Sequence, residues 1–162
     1  MHRPLESSQV LDDCMLALEL LESETDPQRF RLFWLAAVAA LRSVGHVLHK
    51  VDAARSQKHQ RAVSAAYSRW KEDREAHRIF WLFIDYERNS VLKEADPSVY
   101  PIAHKLSVDS DLVYDLDFDI FAPMLKGPWE GEDCRDVVSQ AIEWWRVELS
   151  LIQAEAVGQI EA

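Results

Sequence analysis

Pro27-Gln28-Arg29-Phe30-Arg31-Leu32-Phe33-Trp34-Leu35-Ala36-Ala37-Val38-Ala39-Ala40-Leu41-Arg42-Ser43-Val44-Gly45-His46-Val47-Leu48 places apolar residues at 30, 33, 34, 37, 38, 41, 44 and 48. Steps of three and four return to the same side of an α-helix, so the stretch predicts a helix with a wide face made for a core. Asp26 and Pro27 supply its start, a side-chain cap followed by a proline at the first helical position. It should run to about residue 51. Gly45 costs helix propensity inside it, which points to close packing against another helix.

Working outward, Leu11, Cys14, Leu18 and Leu21 predict an earlier helix, with Ser8 as its N-cap and Asp12 and Asp13 in the first turn. After the long helix, Val63, Ala66, Tyr67 and Trp70 are in register from about Gln60. The pattern lapses at Lys71-Glu72-Asp73-Arg74 and resumes at Ala76, Ile79, Phe80, Phe83 and Ile84, continuing to Lys93. Pro97 must follow the end of that helix. A last helix from about Glu132-Asp133 carries Val138, Ile142, Trp145, Leu149, Ile152 and Ala156, the spacing of a bundle seam. Residues 98–128 differ: prolines 101, 123 and 128 oppose helix, and Asp115-Leu116-Asp117-Phe118-Asp119-Ile120 alternates with period two. The fold expected over residues 1–162 is thus a single all-α domain. It is a bundle of four to five helices, with an acidic β or irregular insertion at 98–128, a short β-hairpin or extended arm before the last helix.

The net charge of −10 is unevenly spread. Residues 1–93 hold 14 Lys/Arg against 13 Asp/Glu, residues 94–136 hold 3 against 11, and the remainder 1 against 4. A body this close to neutral disfavours indiscriminate polyphosphate binding and leaves room for a local cationic cleft. Cys14 and Cys134 lack metal-type spacing and read as buried reduced thiols of a cytoplasmic protein. Arg31 and Arg42 bracket the longest apolar run, so no membrane span is expected, and no secretory leader is read at Met1-His2-Arg3-Pro4. Four glycines that do not cluster make no phosphate loop, and no cofactor is expected.

Candidate chemistry begins at Glu87-Arg88-Asn89. Stepping back from Arg88 in fours reaches Ile84 and Phe80, so a permanently charged guanidinium shares a stripe with buried residues. The same reading from Trp34 gives Val38, Arg42 and His46, with His49 a turn further on. The two arginines converge if their helices run parallel and separate if they run antiparallel. The plainer alternative pairs Arg42 and Arg88 with Asp85, Glu87 or another carboxylate inside the bundle. His46 and His49 share a helix face but have no third ligand for a metal, and no metal is expected. Asp115, Asp117 and Asp119 lack the glycine and glutamate of a calcium loop. Arg55, Lys58, Arg61, Arg69, Arg74 and Arg78 alternate with Trp70 and Trp81, read as a solvated helix face before a nucleic-acid track. His104 is a replacement acid or base by residue type alone.

Phe33-Trp34-Leu35-Ala36-Ala37-Val38-Ala39-Ala40-Leu41-Arg42-Ser43-Val44 resembles the second helix of HEPN-like bacterial proteins, with its Arg-Ser pair. Trp70, Ile79-Phe80 and Glu87-Arg88-Asn89 are similar to the tryptophan and the Arg-Asn motif of that group. Trp129 and Trp144-Trp145 extend the likeness over residues 30 to about 150. The family motif is Arg-Asn, three variable residues, then His; here Lys93 fills the histidine slot. In family members that are ribonucleases the arginine holds the scissile phosphate and the histidine moves the proton without metal. That step needs a group titrating near neutrality, which an ordinary ammonium is not. The resemblance therefore implies a catalytically degenerate binding or interaction module, using Arg88, Asn89, Arg42 and His46 around an anionic ligand, a nucleotide or RNA, or a protein partner. It also implies a homodimer with the motif arginines facing across a two-fold axis. The alternatives are a metal-independent endoribonuclease retaining Arg88, Asn89 and Lys93 as its motif positions, as the toxin beside an antitoxin partner, or a purely structural helical bundle.

Overall fold

The computed structural model describes residues 3–94, 99, 102–107 and 113–158; at 88, 91–94, 102–107 and 113–121 the backbone alone is described. Among the described residues five α-helices form the body: α1 (Glu6–Ser23), α2 (Pro27–Val47), α3 (Gln57–Glu72), α4 (Asp85–Glu94) and α5 (Cys134–Ala156). The expected all-α bundle holds for this body. The arm expected over 98–128 lies mostly outside the described side chains, and the fold rests on the helices. The backbone there pairs β1 (Ile102–Ser107) with β2 (Val113–Phe121) antiparallel, from Ile102 opposite Phe121 to Ser107 opposite Val113.

The predicted faces are the packed ones. Phe30, Trp34, Ala37, Val38, Leu41, Val44 and Leu48 are buried along α2, and Val138, Ile142, Trp145, Leu149, Ile152 and Ala156 along α5. A π-helical turn at Leu48–Asp52 and a short 3-10 turn at Ala53–Arg55 prolong α2. The segment Pro27–Arg55 is thereby 29 residues long and, by length and composition, apolar enough to cross a membrane, with 33% of its most apolar window buried. That length arises because the helix counts as one rod, although arginines interrupt its sequence, and a helix packed in a core has the same length and composition. Its inward face is the centre of the bundle core.

A second π-helical turn, Phe80–Ile84, precedes α4. Phe80 lies beside Trp145, whose indole reaches α2 at Leu41, while Phe83 meets Trp34 two turns nearer the start of α2. The chain from Phe80 into α4 therefore runs antiparallel to α2, and the parallel arrangement that would converge Arg42 on Arg88 is excluded.

The starts of α2 and α5 fall where the sequence puts them, whereas α3 begins at Gln57, before the expected Gln60. Asp26 accepts the backbone N–H groups of Gln28 and Arg29, Ser56 that of His59, and Asp133 that of Arg135. Helix α1 departs from expectation. It begins at Glu6, after Leu5, with no side-chain cap of its own, so Ser8 is not the N-cap. The acceptor is Asp52, a fully buried carboxylate 45 residues away, whose two oxygens lie 2.8 Å and 2.9 Å from the Glu6 and Ser7 nitrogens. Arg55 sits 3.1 Å from that carboxylate and donates to the Pro4 carbonyl at 2.7 Å. A tertiary cap of this kind meets the orphan donors of the first turn and frees the local sequence from supplying one.

Cys14 and Cys134 are buried and free. Burial, helped by the charge of Asp13, pushes the Cys14 thiol up to about 12; burial, with Asp133 beside it, pushes Cys134 up as well.

Asp52→Ala should destabilise the protein in urea unfolding by about 1–3 kcal/mol for each of the two backbone N–H donors it leaves unpaired. Ser8→Ala should stay within about 0.5 kcal/mol. In native protein at mildly alkaline pH neither thiol should react with a disulfide reagent, and both should react once the chain is unfolded in denaturant, because only the thiolate is nucleophilic.

Candidate functional site

A cleft of about 560 Å³ opens between the C-terminal half of α2, α3 and the π-turn before α4. One wall is polar: Arg42, His46 and His49 from α2 and its extension, and Asp85 from the first turn of α4. Steps of four and three carry these three α2 residues down one side of the rod, the side that turns from core to solvent as it passes α3. Across from them stand Tyr67 and Trp81, whose ring centres are 5.9 Å apart, with Trp70 and Phe80 deeper, 5.2 Å apart. Trp81 donates its indole N–H to the Trp70 carbonyl at 2.9 Å, which fastens the π-turn to the end of α3. Ser64 and Ser68 add hydroxyls to the α3 side.

Arg42 is the permanent charge of the cleft. Its Nε lies 3.3 Å from Asp85 Oδ1, and both side chains are more than a third exposed or close to it. The Nε is buried and has no hydrogen bond among the described residues, so the contact is ionic and poorly aligned. The pairing considered from sequence thus exists, yet it leaves the guanidinium on the wall of an open cavity.

The structure brings together Arg42 and His46, and adds His49. It does not bring Asn89 to them: its amide donates to the Asp85 carbonyl at 2.9 Å, one turn back in its own helix. The side chains of Arg88 and Lys93, and those of His104, Asp115, Asp117 and Asp119, lie outside the described residues. The α4 backbone carries the Lys93 position about 12 Å beyond Asp85 along the helix axis. Next to Arg88 in the chain, Glu87 is 1% exposed and engaged.

The basic run on α3 and the following turn is largely spent on internal pairs. Arg55 meets Asp52 and Glu6; Arg69 meets Glu155 at 2.8 Å; Arg78 pairs with Glu75 and lies over the Trp129 ring; Arg74 lies over Trp81. Among the described residues no three His, Cys, Asp or Glu side chains gather as a metal-ligand set. Tyr67 corrects a second expectation. Placed with the core by its register, it is 42% exposed and forms the cleft wall, because α3 turns that edge away from α5. Sequence reasoning named Asp85 as a partner for Arg42 and Trp81 beside the basic run but placed neither in a cleft, because the π-turn at Phe80–Ile84 leaves no mark in the periodicity.

No known protein family, curated protein or solved structure matches this chain.

Gly45 lines the cleft floor, where an added Cβ would lie 3.1 Å and 3.2 Å from two Trp145 ring carbons. Trp145 is fully buried and tied to the Leu41 carbonyl, so it has little room to yield. Gly45→Ala gains about 1 kcal/mol of helix propensity. Crowding a packed core costs about 1–3 kcal/mol. The net expectation is a lower Tm together with an altered tryptophan near-UV circular dichroism spectrum.

Proposed function

We propose that this protein is a HEPN-like binding module without catalytic turnover, taking an anionic ligand, a nucleotide or an RNA segment, in the cleft at Arg42. The observation that carries the reading is the placement of Arg42, with His46 and His49, opposite the Tyr67 and Trp81 rings. A guanidinium and two imidazoles suit an anion, and aromatic faces suit a planar ring. The Asp85 contact is no obstacle: a partly exposed, poorly aligned pair is worth about 1 kcal/mol or less. One charge-assisted hydrogen bond to an incoming anion, about 1.5–3 kcal/mol, outweighs it. In this reading the module is a cytoplasmic homodimer. Leu32 on α2 and Leu16 on α1, both exposed, are apolar side chains that such an interface would cover. The paired strands before α5 are an acidic hairpin arm appended to the bundle, available to a protein partner.

One observation favours the enzymatic alternative, a metal-independent endoribonuclease. His46 and His49 line the same cleft as Arg42 and bring imidazoles, the side-chain type most used to move a proton, where the motif position holds Lys93.

Thermal denaturation with nucleoside di- and triphosphates or short RNA, in the presence of chelator, separates these readings. Ligand at about a hundred times its Kd should stabilise the protein by about 2.7 kcal/mol. Arg42→Ala should abolish that gain while changing the stability of the free protein little. Stabilisation unchanged in Arg42→Ala, or none with any anion, contradicts the binding reading. Cleavage of the RNA to cyclic-phosphate ends, lost in His46→Gln, would replace it with the enzymatic one.

A further inference from the structure

His77 lies in the turn between α3 and the π-turn, with its side chain mostly buried. Its Nδ1 is 3.1 Å from the Trp144 indole nitrogen and 3.7 Å from Glu148 Oε1. An indole nitrogen can only donate, so Nδ1 must offer a lone pair and the ring proton must sit on Nε2. The same nitrogen cannot accept from Trp144 and carry a proton. Glu148 is 5% exposed and receives the Trp70 indole N–H on its other oxygen, Oε2, at 2.8 Å. Oε1 is left facing His77.

Among the described residues, Arg69 is the other charge that reaches Glu148. From α3, Arg69 approaches Glu148 Oε2 at 3.7 Å but makes its closer pair with Glu155. On the turn beside His77, Arg78 is held by Glu75 and Arg74 lies over Trp81. From α5, among the described residues, Glu148 is the carboxylate that faces the imidazole.

We propose that His77 is a proton-operated latch on the inner wall of the cleft. While neutral, it accepts the Trp144 N–H and holds that indole stacked on Phe80, with ring centres 5.3 Å apart, and against Trp70 at 4.9 Å. A proton taken up at Nδ1 uses the lone pair that Trp144 had occupied. The new N–H turns to Glu148 Oε1, forming a charged pair, and the Trp144 indole is released. Phe80 and Trp70 both line the cleft, so its wall loosens on acidification across the range in which imidazoles titrate. The latch is independent of what the cleft binds.

Near-UV circular dichroism and tryptophan emission, followed from about pH 8 to about pH 5, test it on the intact chain, in the range where histidine changes charge. One reversible transition is expected, with far-UV helicity unchanged. It should be lost in His77→Gln, whose amide oxygen still accepts from Trp144, and kept in the His46→Gln, His49→Gln double variant. An unchanged near-UV spectrum in the wild type, or a transition that survives in His77→Gln, overturns the proposal. Nitrogen-15 spectra of the wild-type imidazole give a second test needing no variant. The Nε2–H tautomer at the alkaline end supports the latch, and the Nδ1–H tautomer overturns it.

Discussion

The bundle closes on one hydrogen bond, from the indole N–H of Trp145 in α5 to the Leu41 carbonyl in the middle of α2. A carbonyl inside a helix is already committed to its own ladder, so a side chain reaches it only where the helix surface is stripped. Gly45, one turn on, provides that bare patch, and the tryptophan ring lies across it. The same ring is edge-on to Trp70 of α3 and to Phe80 of the π-turn. Three elements are therefore indexed to α2 by one buried side chain. The cleft is the space left beside that contact, with Gly45 in its floor and Arg42 packed over the glycine.

What the sequence disclosed follows from how local each signal was. The α2 and α5 faces could be read because period and burial coincide along twenty residues, and Asp26-Pro27 could be read because the cap lies beside the helix it serves. The start of α1 could not, because its cap comes from Asp52 across the fold. Arg42 and His46 stood out as polar residues on an apolar stripe, and both line the cleft. Tyr67 did not stand out, since an aromatic residue in helical register reads as core, and Trp81 was read beside the basic run as part of a solvated face. The two π-turns at Leu48–Asp52 and Phe80–Ile84 shift the phase of everything after them, and sequence period does not record such a shift.

The arrangement joins two requirements that pull apart. A folded core needs Arg42 neutralised, and Asp85 does so; a binding site needs the same guanidinium to remain negotiable, and the exposure of both partners keeps it so. Asp52 and Arg55 show the contrasting case, in which a carboxylate with no exposure is bound by two backbone donors and a guanidinium and has no freedom to exchange. The cavity meets α4 at Asp85, about one turn before Asn89. Asn89 there is tied to its own helix.

The most direct measurement is a crystal structure of the protein soaked with a nucleoside triphosphate under chelator. The account predicts the phosphates within hydrogen-bond distance of the Arg42 guanidinium, Asp85 displaced from it, and the base against Tyr67 and Trp81. A ligand ordered elsewhere, with Arg42 still resting on Asp85 and the cleft empty, would contradict it.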